Sequence, residues 1–140
     1  MGRRRRCRWV GYRPVAQFYK PRGIPLSSLE QVRLTIDEFE AIRLCDLKGL
    51  HQEEAARRMK VSRQTVGRIL NEAHRKIAKC FVEGRALRIE GGNYTIIQRG
   101  LECYRCGFAW EIPLEFPLPP GCPECGSPII RARGKSQNKE

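Results

Sequence analysis

The 140-residue sequence has no apolar run approaching the roughly 20 residues that span a bilayer. It therefore offers no candidate transmembrane helix. No apolar h-region follows the basic start, and position 6 is Arg6 rather than the Ser or Thr that accompanies a myristoylated Gly2. These absences predict a cytoplasmic protein with no membrane partner. Histidine is nearly missing, and neither His51 nor His74 has a second ligand at useful spacing. There is no Gly-rich phosphate loop and no nucleophile paired with a base, so the chain is not expected to be an enzyme.

Acidic residues are also scarce. Fifteen Asp and Glu stand against 27 Lys and Arg, a formal charge of +12. Its placement matters more than its sum. Residues 1 to 34 carry nine basic residues against one Glu, residues 35 to 84 ten against eight, and residues 101 to 140 five against five. Charge concentrated at the front of a chain favours a polyanion, because each neutralised phosphate releases counterions.

What the sequence has in excess is cysteine, seven in all. An odd number without an export signal argues against a disulfide framework. Four of them form Cys103-x-x-Cys106-Gly107 and Cys122-x-x-Cys125-Gly126, a spacing that predicts one four-thiolate metal site. Such a site can replace the hydrophobic core that about 35 residues cannot supply. The module resembles a zinc ribbon, with strands expected around Leu101, Phe108 to Ile112 and Ile129 to Arg131. It also resembles rubredoxin-like modules that hold iron. One Zn²⁺ is the preferred ion and iron the alternative, since a redox-inert staple suits a DNA-binding partner module. With no net charge of its own, the module is expected to stabilise the chain or contact a protein. Cys45 and Cys80 read as small core residues, and Cys7 as a thiol whose thiolate the neighbouring arginines favour.

The residues from Gln52 to Leu70 read as a helix, the turn Lys60-Val61-Ser62 and a second helix. Ser62 is a good N-cap. Val66, Ile69, Leu70, Ala73 and Ile77 then form one apolar stripe at helical period, with Gln64, Arg68, Asn71 and Arg75 on the opposite side. Ala55, Ala56 and Met59 face inward from the preceding helix. A short-turned amphipathic pair is the geometry in which a second helix enters the major groove. Gln and Asn can read adenine bidentately and Arg can read guanine. Thr35 with Glu38 forms a capping box that opens an earlier helix, which Gly49 can end, with Ile36, Phe39, Ile42 and Leu47 as its core positions. Gly84 stops the long helix.

These residues carry a resemblance. The run Gln52 to Ala56 with Val61 to Leu70 is similar to the helix-turn-helix of sigma-70 region 4. Lys20 to Leu26, Asp37 to Leu44, the helix pair and Arg88 to Tyr94 together resemble an uncharacterised prokaryotic family regarded as DNA-binding. The resemblance covers about two-thirds of the chain. It implies a mainly α fold, a three-helix helix-turn-helix domain with a basic arm before it and a small β zinc ribbon behind.

The expected organisation is a Pro-punctuated basic arm over residues 1 to 34, the helical domain over 35 to 84 and a β-hairpin or linker over 85 to 100. The Cys₄ module over 101 to 133 and a disordered tail over 134 to 140 complete it. The leading expectation is a sequence-specific transcriptional regulator of double-stranded DNA. Gln64, Arg68 and Asn71 would read bases, flanked by Arg63 and Thr65. Arg3, Arg4, Arg5, Arg6, Arg58, Lys60, Arg75 and Lys76 would hold phosphates. The alternatives are an adaptor that contacts RNA polymerase and an iron-based redox protein. A second copy of the chain is a further candidate partner.

Overall fold

The computed structural model describes residues 7–113 and 116–139. Seven strands and three α-helices are found among these residues. In chain order they are β1 (Arg8–Val10), β2 (Phe18–Tyr19), β3 (Gln31–Leu34), α1 (Ile36–Ile42), α2 (Gln52–Met59), α3 (Arg63–Glu83), β4 (Ala86–Ile89), β5 (Tyr94–Cys103), β6 (Ala109–Pro113) and β7 (Ile130–Lys139).

The architecture is α/β with two mixed sheets, which corrects the mainly α expectation. In one sheet β4 is central, parallel to β3 and antiparallel to β2. In the other β5 pairs along most of its length with β7, while its opposite edge takes β1 in parallel and then β6 antiparallel. Residues 8 to 34 are therefore built into both sheets rather than forming an arm. The strands either side of Gly91-Gly92 enter different sheets, so the expected hairpin is instead the crossover between them. At the far end β7 pairs with β5 through Lys139, where a free tail was expected from residue 134. Parallel pairing of β1 with a strand far along the chain leaves no local turn signal, which is why β1 was not legible.

Two apolar clusters fill the interior. Ala41, Leu44, Ala55, Ala56, Met59, Val66, Ile69 and Leu70 pack the three helices together. Val10, Leu34, Ile36, Ala73, Ile89, Tyr94 and Ile96 pack helices onto sheet. Helix α3 joins the two, because its stripe turns from the helical cluster at Val66 to the sheet cluster at Ala73. The first half of β5 is buried on both faces, as Ile96 and Ile97 show.

Local signals hold where they are strong. The Thr35 hydroxyl accepts from the Glu38 N–H, and the Glu38 carboxylate accepts from the Thr35 N–H at 2.8 Å. Ser62 caps α3, and Gly84 ends it with a φ of 64°. Leu47, expected in the core, is instead 79% exposed. The cause is local: from Arg43 the helix widens into a π-turn, with the Lys48 N–H donating to the Arg43 carbonyl at 3.0 Å. One extra residue per turn rotates Leu47 off the buried face.

The crossover at Gly91-Gly92 is sterically closed to other residues. Gly92 has a φ of 97°, and a Cβ there would lie 2.6 Å from Asp37 Oδ1 and 2.9 Å from Thr35 Cβ. Gly92→Ala is expected to cost about 2 to 4 kcal/mol in urea unfolding. Gly84→Ala, at a φ of 64° within the left-handed region and in open space, should cost about 1 to 2 kcal/mol. Equal costs at both positions would contradict this account.

Candidate nucleic-acid interface and metal centre

Helices α2 and α3 meet through Lys60, Val61 and Ser62. Lys60 closes α2 in the left-handed region, at φ 59° and ψ 42°, and two residues later Ser62 opens α3. The reversal is compact because αL geometry turns the chain within one residue. It places the exposed face of α3 outward, with Arg63, Gln64, Arg68, Asn71 and Arg75 exposed and Thr65 half-buried.

A chain of contacts orders this face. The Ser62 hydroxyl accepts the Thr65 N–H at 3.1 Å and shares a proton with the Thr65 hydroxyl at 2.8 Å. The Arg68 guanidinium in turn donates to the Thr65 hydroxyl at 3.2 Å. Thr65 therefore positions Arg68.

The expected phosphate residues divide. Arg3, Arg4, Arg5 and Arg6 lie outside the described residues. Arg58 stands on the last turn of α2, 3.4 Å from Glu54, and Lys60 holds its ammonium 4.7 Å from the centroid of the Trp9 ring. Arg75 is held by Glu72 at 2.5 Å, and this bond holds the Glu72 carboxyl below its usual range. Lys76 is half-buried and donates to Glu38 at 2.7 Å, tying α3 to the α1 capping box. That engagement makes Lys76 a structural cation.

A network with no counterpart in the sequence reading lies beneath this face. Glu40, 2% exposed, accepts from Arg43 Nε at 2.6 Å, from Arg43 Nη2 at 2.9 Å and from the Gly11 N–H at 2.6 Å. Arg43 also lies over the Tyr12 ring at 5.3 Å. Arg8 pairs with buried Asp37. Acidic residues of α1 thus clasp residues 8 to 12. A signal was present in Asp37-Glu38-Phe39-Glu40, whose carboxylates are too dense for a buried helix unless basic partners arrive from elsewhere.

The four predicted ligand cysteines come together. Their sulfurs all lie within 4.8 Å of one another, with Cys103 and Cys125 at 3.6 Å and Cys106 and Cys122 at 3.7 Å. A tetrahedron with Zn–S bonds of about 2.3 Å puts sulfurs about 3.8 Å apart, so the cluster is already sized for an ion. The two knuckles are copies of one turn. The Gly107 N–H donates to the Cys103 carbonyl at 3.0 Å and the Gly126 N–H to the Cys122 carbonyl at 2.8 Å, each glycine at φ 77°. Backbone N–H groups of Cys106 and Glu124 point at the sulfurs of Cys103 and Cys122.

Without a cation the cluster cannot ionise evenly. The Cys106 N–H bond lowers the Cys103 thiol to about 6. Cys106 is pushed up to about 12: the Phe108 N–H bond favours its thiolate, but desolvation and the neighbouring sulfurs outweigh it. A divalent ion removes that conflict, and the residues fit one. Strand β5 runs unbroken from the main sheet into Cys103, so the metal module shares its first strand with the rest of the fold. Cys80 is buried and Cys45 half-buried, and burial raises both thiols.

A family model described as "Protein of unknown function DUF134" matches residues 1–97. A "UPF0251 protein" of Desulforudis audaxviator is 45% identical over 133 residues, covering 95% of this chain and 87% of the relative. Another, of Moorella thermoacetica, is 44% identical over 133 residues, covering 95% and 88%. A UPF0251 protein of Thermoanaerobacter pseudethanolicus reaches 52% over 103 residues, covering 71% and 87%. No solved structure matches the chain. Among the described residues no helix is long and apolar enough to cross a membrane.

Proposed function

This chain belongs to the family of proteins of unknown function DUF134, and we propose that it is a sequence-specific double-stranded DNA-binding protein acting in transcription regulation, with Zn²⁺ as a structural ion in its Cys₄ site. The observation that carries the reading is the outward face of α3, where Arg63, Gln64, Arg68 and Asn71 are exposed beside a three-residue turn. Arg68 and Gln64 are the principal base readers, Asn71 and Arg63 their flanks. Thr65 holds Arg68 in place before DNA arrives, which lowers the ordering cost of the contact. Arg58 and Lys60 stand at the end of α2, where a crossing phosphate backbone would pass.

Selecting bound sequences from a random duplex pool tests this directly. A single enriched motif is expected, and its symmetry reports whether two copies bind. On that motif Arg68→Ala should lose about 1 to 3 kcal/mol and relax preference at one base position, with the salt slope nearly unchanged. Binding of Arg68→Ala as tight as the parent would remove Arg68 from the reading set. Failure to enrich any motif at low salt would sink the reading and favour an adaptor bound to polymerase.

A further inference from the structure

A groove of about 440 Å³ lies between the first strand, the end of α2 and the start of the π-turn. Its floor is apolar, made by Leu44 and Ile97, and Trp9 forms one wall. Arg57, Arg58 and Lys60 form its rim; Glu54 pairs with Arg57 at 2.5 Å and with Arg58 at 3.4 Å, and Lys60 lies over the Trp9 ring. Glu40 and Arg43 also line it and neutralise each other as an ion pair. The cavity is of the size that encloses small organic ligands, which is 300 to 1,000 Å³ on the usual scale.

Lys60 is the second observation. It is the only non-glycine residue with positive φ among the described residues. Helix α3 closes the same way with Gly84, at no steric cost. At Lys60 the αL conformation costs about 1 to 2 kcal/mol. What that conformation secures is an ammonium over the Trp9 ring at the mouth of the groove.

We propose that this groove binds a small amphiphilic organic anion, an aromatic or branched carboxylate, with its apolar body against Leu44, Ile97 and Trp9 and its charge against Lys60. An inorganic anion would leave the floor unfilled, and a neutral hydrophobe would make no use of the Lys60 ammonium. The inference shares Lys60 with the DNA reading but does not rest on it, since it concerns a small ligand on the inner side of the α2–α3 turn and not base reading by α3.

The test uses the full chain and 8-anilinonaphthalene-1-sulfonate as the probe anion. Lys60→Gly is the decisive variant, because glycine suits the left-handed cap and leaves the fold's melting temperature within a few degrees. One saturable site is expected, weakened about tenfold by Lys60→Gly through loss of a charge-assisted contact. In a Trp110→Phe background the remaining indole is Trp9, and its emission should fall in step with probe binding. Indole-3-acetate should displace the probe, whereas millimolar inorganic phosphate should not. Equal affinity in Lys60→Gly, unaltered Trp9 emission on saturation, or displacement by phosphate as effective as by indole-3-acetate would each overturn the proposal; the last would mark a phosphate contact instead.

Discussion

Glu40→Ala is expected to destabilise the protein by about 3 to 5 kcal/mol, the range for removing one partner of a buried ion pair. Glu40 is 2% exposed and Arg43 7%, so neither charge is rescued by water. The substitution takes a bidentate acceptor from Arg43 and the acceptor of the Gly11 N–H together. Residues 8 to 12 then keep only the Arg8–Asp37 pair as a polar attachment to α1, and that pair and the three-residue β1–β5 pairing must hold the segment. Glu40→Gln keeps the volume and one acceptor, and should fall between parent and alanine. Glu53→Ala, exposed in the first turn of α2, should cost less than about 1 kcal/mol. Urea unfolding followed by circular dichroism measures all three. A Glu40→Ala loss below 1 kcal/mol would mean that this pair does not hold the segment.

The same pair shows where sequence reading stops. The capping box at Thr35, the Ser62 cap, the α3 stripe and the Gly84 stop are each decided within four residues, and each is present in the fold. The clasp between Gly11 and Glu40 spans 29 residues, and the pairing of Arg8 with Tyr94 spans far more. No periodicity records such contacts. Arg8 follows a run of arginines that reads as a phosphate-binding arm, yet its partner is a buried carboxylate. A basic, Pro-punctuated segment looks like an arm until its acidic receptors on α1 are seen.

The candidate sites divide along the same line. Cysteine spacing encodes the four-thiol cluster because both knuckles are local turns, and only their meeting is non-local. The face of α3 was legible from helical period alone. Which of its cations are engaged was not, since Lys76 is claimed by Glu38 from 38 residues away. Lys60 looked like an ordinary phosphate ligand, and only its backbone conformation and the Trp9 ring give it a second role.

Removing the metal should have the largest effect, confined to one end of the molecule. Among the described residues from 104 to 133 only Cys122 and Ser127 are buried, so almost no apolar core supports this stretch. Apparent binding energies for structural zinc in small modules are about 10 to 16 kcal/mol, which exceeds anything the local packing can supply. Cys122→Ser, or chelation of the parent, should therefore abolish the bound equivalent of zinc and open residues 104 to 130 to protease. The helical signal should persist, because the two apolar clusters use none of these residues. The pH dependence has a fixed sign. Ligation requires thiolates, so occupancy holds at neutral pH and falls as protons compete in the acid range. Metal analysis of the purified chain, with limited proteolysis across that range, measures both. Colourless protein with one zinc is the expected result. Visible thiolate-to-iron absorption would replace zinc by iron in the same four-sulfur cage, and unchanged protease resistance after chelation would show that the knuckles hold without an ion.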